Sequence, residues 1–223
     1  MTGRRGRRSR VILIVAVAAA AVLLIAGSIL WWTSSAGTPT AARTPTASTT
    51  SSTPSGAIAR ACPAGTVTTA TVQALRAEKD FTPVGAVEFL TAFLQLTAQA
   101  TPEPADGALE FSQAASTGAV LENATAALQP GGNAYGDTAT HGEVFVGGKY
   151  LIEDATSQRV TVSLFGLMVT GGELATNTDG NTIRAGGTYT LEPSTDGWVV
   201  TGMSAGTPLD TVEATGVAFS GGC

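Results

Sequence analysis

The segment Val11–Trp32 is an unbroken run of 22 residues without a charged side chain, and it constrains everything else in the chain. A helix rises about 1.5 Å per residue, so this run reaches about 33 Å, whereas the hydrocarbon core of a bilayer is about 30 Å thick. A helix of a soluble domain seldom stays apolar on every face over such a length. Trp31 and Trp32 end the run, where indole rings favour the headgroup layer. The sequence therefore predicts a transmembrane helix over residues 11–32.

Basic residues precede this run and set its predicted orientation. The first ten residues include the arginines Arg4, Arg5, Arg7, Arg8 and Arg10, and no acidic residue occurs before Glu78. Because flanking cations stay in the cytoplasm, residues 1–10 are expected inside and the rest of this single-pass chain outside the cell membrane. The alternative is a cleaved secretory signal ending at Ser34-Ser35-Ala36, which would release a secreted domain. The length of the apolar run and its bulky tryptophans favour an uncleaved anchor.

Residues 33–57 consist almost entirely of Ser, Thr, Pro, Ala and Gly, with Arg43 as the one charged residue. Such a composition buries too little apolar surface to repay the entropy of folding, so we expect a disordered linker. A flexible chain of this length spans roughly 25–30 Å, which would hold the following domain clear of the membrane.

Residues 58–223 remain for one extracytoplasmic domain, which is large enough for a hydrophobic core. From Arg60 onward there are six Lys or Arg residues against all 17 Asp and Glu, a balance of −11. This charge argues against nucleic acid and anionic lipid as partners of the domain. The basic N-terminus does not alter that expectation, because membrane topology accounts for it.

The two cysteines of the chain, Cys62 and Cys223, frame this domain. Two exported thiols in an oxidising compartment predict a disulfide between them. Closing so long a loop would stabilise the fold by about 5 kcal/mol at most. We expect no metal site from two thiols and the lone His141, and no bound cofactor.

The hydrophobic period changes along the domain. Thr82-Pro83 predicts the start of a helix, in which the polar residues of 84–99 form one narrow stripe on an otherwise apolar surface. Weaker helical patterns cover 72–79, 108–115 and 116–128. Alternating patterns after residue 140 predict strands, with the clearest signals over 143–146, 150–152, 158–169, 183–191 and 198–203. Helices followed by antiparallel strands predict an α+β fold in which a curved sheet wraps the long apolar helix.

Four features together carry a family resemblance: the anchor-plus-linker layout, the helix over 84–99, the helix start at Ser116-Thr117-Gly118, and the strand Asp196–Val200. In this order of elements, residues 80–205 resemble the NTF2-like cone fold. With its anchor, the chain resembles VirB8/TcpC-type conjugation proteins and the Mce-associated membrane proteins of actinobacteria. The resemblance implies a cell-envelope domain. The cysteine pair and the segment after residue 206 depart from it.

Catalytic signatures are weak. No SxxK or HExxH motif occurs, and His141 lies in a Gly/Thr-rich stretch that we expect to be a solvated loop. We therefore expect a non-catalytic binding or scaffold domain. The resemblance implies an accessory role in a secretion, conjugation or transport assembly, with an envelope protein or a second copy as partner.

The alternative is a small-molecule-binding or enzymatic domain that uses the cone pocket. Its polar groups would be Tyr150, Asp154 and Tyr189. A structure separates the two hypotheses, because a cone filled by large side chains leaves no room for a ligand. The side chains expected to fill it are Phe89, Phe93, Met168 and Trp198.

Overall fold

The computed structural model describes residues 57–63, 65–77, 81–99, 104–129 and 139–221. The basic segment, the transmembrane helix and all of the linker except its last residue therefore lie outside the described residues. The predicted anchor residues (Arg4, Arg5, Arg7, Arg8, Arg10, Trp31 and Trp32) lie there too. None of the helices described has the length and apolarity needed to cross a membrane.

The described residues form an α+β fold in which helices precede a mostly antiparallel sheet, as the sequence predicts. The helices are α1 (Thr69–Arg76), α2 (Pro83–Ala98), α3 (Ala108–Ala115), α4 (Gly118–Leu128) and α5 (Leu209–Thr215). The long strands are β2 (His141–Ala155), β3 (Val160–Thr170), β5 (Arg184–Ser194) and β6 (Gly197–Ser204). Four short strands complete the set: β1 (Arg60–Ala61), β4 (Glu173–Leu174), β7 (Val217–Ala218) and β8 (Ser220–Gly221).

The main sheet has the order β6-β5-β3-β2-β7, and β4 pairs with β3 off this path. Neighbouring strands are antiparallel throughout. The register shifts twice between β2 and β3 and once between β5 and β6. Such bulges bend and twist a strand, which lets the sheet follow the helices packed against it.

Helix α2 is the centre of the hydrophobic core. It begins where predicted, since the Thr82 side chain accepts a hydrogen bond from the Gly85 amide at 3.0 Å and Pro83 occupies the first turn. Twelve of its 16 residues are buried. Phe89 and Phe93 are fully buried, and their ring centroids lie 5.9 Å apart.

The polar stripe of α2 holds the segment that follows the linker. Glu88 accepts hydrogen bonds from the Arg60 backbone amide at 2.9 Å and from its guanidinium at 3.0 and 3.2 Å. Gln95 donates from Nε2 to the Cys62 carbonyl at 3.0 Å. The stripe thus contacts protein, which explains why α2 is buried on nearly every face.

The two ends of the domain meet in a small parallel sheet. Strand β1 pairs with β8 in the register Arg60↔Ser220 and Ala61↔Gly221. Cys62 follows directly and is buried, while Cys223 lies outside the described residues. The disulfide stays a prediction. The register supports it, because in the sequence Cys62 follows the paired Ala61 by one residue and Cys223 follows the paired Gly221 by two.

One expectation about local structure is wrong. His141 is not in a solvated loop: it is the first residue of β2, is 4% exposed, and its Nδ1 lies 3.1 Å from Thr170 Oγ1. The patterns at 143–146 and 150–152 belong to this one strand, because Gly147-Gly148 form a bulge. Gly147 has a φ of +83°, a conformation that glycine adopts without strain.

Candidate ligand-binding pocket

A cavity of about 220 Å³ lies between helices α2 and α4 and strands β2, β5 and β6. Most of its wall is apolar, and Phe93, Leu94, Val120 and Ala124 contribute to it. Its polar groups come from Thr97, Asn123, Glu143 and Tyr189. Small-molecule sites commonly combine an apolar wall with a few placed polar groups, so this cavity is the candidate site.

Secondary-structure periodicity brings these side chains together. Residues 93, 94 and 97 share one face of α2, and residues 120, 123, 124 and 127 share one face of α4. Tyr189 on β5 lies opposite Val162 on one side and Met203 on the other. Glu143 lies opposite Met168 on β3. Residues directly opposite in an antiparallel pair project from the same face of the sheet.

Glu143 is the unusual group in this pocket. Its Oε2 atom is buried and has no hydrogen-bond partner among the residues that the structure describes. Burial raises the pKa of this carboxyl to about 7, because an apolar environment disfavours the charged form. Near neutral pH the side chain is therefore poised between an acid and a carboxylate.

Tyr189 supplies the second titratable group of the pocket. It is 7% exposed. Burial first, and the negative charge of Glu143 second, raise its pKa above the ordinary value for tyrosine. The phenol therefore keeps its proton at neutral pH and can both donate and accept a hydrogen bond.

Met203 and Asn123 form the rim of the cavity. Met203 is 42% exposed, and the Asn123 amide nitrogen lies 3.1 Å from its sulfur. An exposed thioether is flexible and adapts to different apolar shapes. The rim can thus adjust to a ligand without moving the sheet.

Of the three polar residues predicted for a cone pocket, the structure brings only Tyr189 to this cavity. Tyr150 is buried elsewhere: its hydroxyl accepts a hydrogen bond from the Ala59 amide at 3.2 Å, and its ring packs 5.0 Å from that of Phe219. Asp154 is exposed near the end of β2 and pairs with Arg159 at 3.3 Å. Tyr150 therefore has a structural role in the core, and Asp154 is a surface residue.

The core side chains that were expected to fill the cone do not close the cavity. Phe89 and Phe93 are fully buried and Trp198 is 2% exposed. Space nevertheless remains beside Phe93, between α2 and α4, because the small residues Ala98, Ala124 and Ala127 line it. Large side chains therefore do not fill the cavity, and room for a ligand remains.

A Gly-x-Ser-x-Gly pattern at residues 202–206, which the sequence analysis missed, does not build a catalytic triad. Ser204 is exposed at the end of β6, where it pairs with Thr188. The one histidine of the chain, His141, lies on β2, and strands β5 and β3 separate β2 from β6. A triad requires serine and histidine within hydrogen-bond reach.

A second hollow, of about 700 Å³, is bordered by Phe165, Asn177, Asn181 and Arg184. Arg184 already pairs with Asp210 and, at 3.5 Å, with Glu213. The charged groups that border this hollow are exposed and already paired, so the hollow offers a ligand fewer groups to bind.

Within the described ranges no group of three or more His, Cys, Asp or Glu side chains could hold a metal ion.

No known protein family, curated protein or solved structure is significantly similar to this chain.

Proposed function

We propose that the chain is a non-catalytic, membrane-anchored extracytoplasmic domain that binds a small ligand in the pocket beside Glu143 and Tyr189. The observation that carries this proposal is that Glu143, whose buried Oε2 has no hydrogen-bond partner among the described residues, lines a largely apolar cavity. A buried carboxyl without a partner costs free energy. A ligand that donates a hydrogen bond to this oxygen would recover that cost.

The size of the cavity limits the ligand to about one ring. Typical sites for drug-sized ligands measure about 300–1,000 Å³, whereas this cavity is about 220 Å³. An apolar cavity of about 150 Å³ is already large enough to bind benzene. The pocket therefore suits a single ring or short alkyl group that carries one polar substituent.

The anchored location is proposed from the sequence. The apolar run Val11–Trp32 and the arginines before it support an anchor with the domain outside the cell. The order of helices and strands supports the proposed NTF2-like cone. An accessory role in an envelope assembly, with an envelope protein or a second copy as partner, stays a prediction.

An enzymatic role for the same pocket is the second candidate, and one observation favours it. A general base works best when its pKa is near the operating pH, and burial brings that of Glu143 to about 7. Turnover of a ligand that binds here, lost in Glu143→Gln, would favour this candidate over simple binding.

The test of ligand binding is a fragment screen against the full chain in lipid nanodiscs, read by NMR of labelled Met203 and Tyr189. We expect small one-ring fragments to shift these signals. Ala124→Leu fills the cavity from α4 and should abolish the shifts, because Ala124 lines the pocket and is 5% exposed. Ala126→Leu on the exposed side of the same helix is the matched control. Fragments that bind both variants equally, or no binding at all, would refute the proposal.

A further inference from the structure

We infer that the ligand of this pocket is a small organic ammonium ion, whose charged group pairs with Glu143 and whose apolar part packs against the apolar wall of the cavity. The inference rests on the proposed function and names the ligand class of the same site. It follows from the charges around Glu143, the aromatic lining and the field of the domain.

The pocket contains an acidic group, and none of the described residues that line it supplies a cation to pair with that group. Among the lining residues the titratable groups are Glu143 and Tyr189; those that α2, α4 and β6 contribute carry no charge. On β2 itself, His141 lies two residues from Glu143, and its Nδ1 faces Thr170. A carboxylate in such surroundings repels an anion and gains most from a cation that donates hydrogen bonds.

Aromatic rings add to this preference. Phe93 and Tyr189 both line the cavity. An ammonium group next to an aromatic ring is attracted by the negative face of the π-system. The phenol of Tyr189 can also accept a hydrogen bond from the ammonium group while it keeps its own proton.

The charge of the whole domain acts in the same direction. From Arg60 onward the balance of charge is −11, so the domain as a whole attracts cations and repels anions. A field of this sign raises the local concentration of cations at a cleft and speeds their arrival. It disfavours an anionic ligand of the same size.

Three probes of nearly the same shape test the inference: benzylammonium, benzyl alcohol and benzoate. They place a positive, a neutral and a negative group on one ring, which suits a cavity of about 220 Å³. Affinities are measured by NMR titration of the full chain in nanodiscs of zwitterionic lipid. At pH 8 we expect benzylammonium to bind about tenfold or more tightly than benzyl alcohol, and benzoate weakest.

Two further measurements assign this preference to Glu143. The affinity for benzylammonium should fall as the pH decreases below 7, because the protonated acid loses its charge, while that for benzyl alcohol should change little. Glu143→Gln should reduce the affinity for benzylammonium to that for benzyl alcohol. Glu122→Gln on the exposed side of α4 removes the same formal charge and is the matched control.

The outcomes separate the two proposals. Equal affinities for benzylammonium and benzyl alcohol, or equal losses in the two variants, would overturn the ammonium inference. If Ala124→Leu still abolished the binding of these probes, the proposed binding of small molecules in this pocket would stand. No binding by any of the three probes would refute both. Should Glu143→Gln fail to fold, the pH dependence of the unaltered chain decides.

Discussion

Glu143 is expected to make the stability of the domain depend on pH. Burial raises its pKa from 4.5 to about 7 in the folded state. Between these values the unfolded chain ionises while the folded chain keeps its proton. The free energy of unfolding therefore falls as the pH rises through this window, by at most about 3 kcal/mol, and the loss is complete above it.

Glu143→Gln should remove this dependence and stabilise the domain at pH 8, since a neutral amide has no charged form to bury. Urea unfolding of both proteins at pH 4.5, 6 and 8 measures the effect. The difference in unfolding free energy between the variant and the parent should grow with pH. A constant difference would show that Glu143 ionises normally in the folded protein.

Sequence reasoning found one of the two titratable groups of the pocket and missed the other. Tyr189 was found because it alternates with Leu191 in a clear strand pattern. Glu143 was missed because it stands at the start of a short strand pattern, where a charged side chain is usually exposed. In the structure the residue is half-buried with its carboxyl group enclosed, and it lies opposite Met168 on β3.

At the scale of elements, the bulge in β2 should not tolerate a side chain. A Cβ added at Gly148 would lie 2.2 Å from the Phe165 carbonyl oxygen. Relieving that overlap requires the backbone to move, so Gly148→Ala should destabilise the domain by about 3 kcal/mol. Gly142→Ala on the same strand is the control, because its Cβ would lie 3.6 Å from Val169 Cγ2, an ordinary contact. Equal unfolding free energies for the two variants would contradict the bulge.

The salt bridge between Arg60 and Glu88 should hold the first described segment on α2. Glu88→Ala removes three hydrogen bonds and should release residues 58–62 at a cost of about 1–3 kcal/mol. Faster amide hydrogen exchange at these residues measures the release. Glu110→Ala on the exposed face of α3 should leave their exchange unchanged. Unchanged exchange in Glu88→Ala would show that the contacts of this segment with β8, Gln95 and Tyr150 hold it without the salt bridge.

The order of elements was predictable, whereas one short helix was not. The α2 pattern is long, capped by Thr82 and strongly apolar, so it has only one plausible structure. Helix α5 has seven residues, of which only Val212 is buried. So few apolar positions give no detectable helical periodicity in the sequence. Its position depends on packing against β2, β3 and β5, which the local sequence does not encode.

At the scale of the whole molecule, the two ends of the domain are expected to be covalently joined. Strands β1 and β8 pair residue 61 with residue 221, and in the sequence these residues precede Cys62 by one residue and Cys223 by two. Intact mass of the exported protein, with and without a thiol-alkylating reagent, should show no free thiol unless a reductant is added. Alkylation of both Cys62 and Cys223 without reduction would exclude the disulfide.

The proposed function requires a ligand site centred on the buried carboxyl group of Glu143. The most direct measurement is the carboxyl carbon-13 NMR shift of Glu143 from pH 4 to 9, with and without benzylammonium. A midpoint near 7 is expected in the free chain, because burial raises the pKa to that value. The ligand should move the midpoint to lower pH, because an ammonium group stabilises the carboxylate. A midpoint near 4.5 that the ligand leaves unchanged would contradict a ligand site at a buried Glu143 carboxyl.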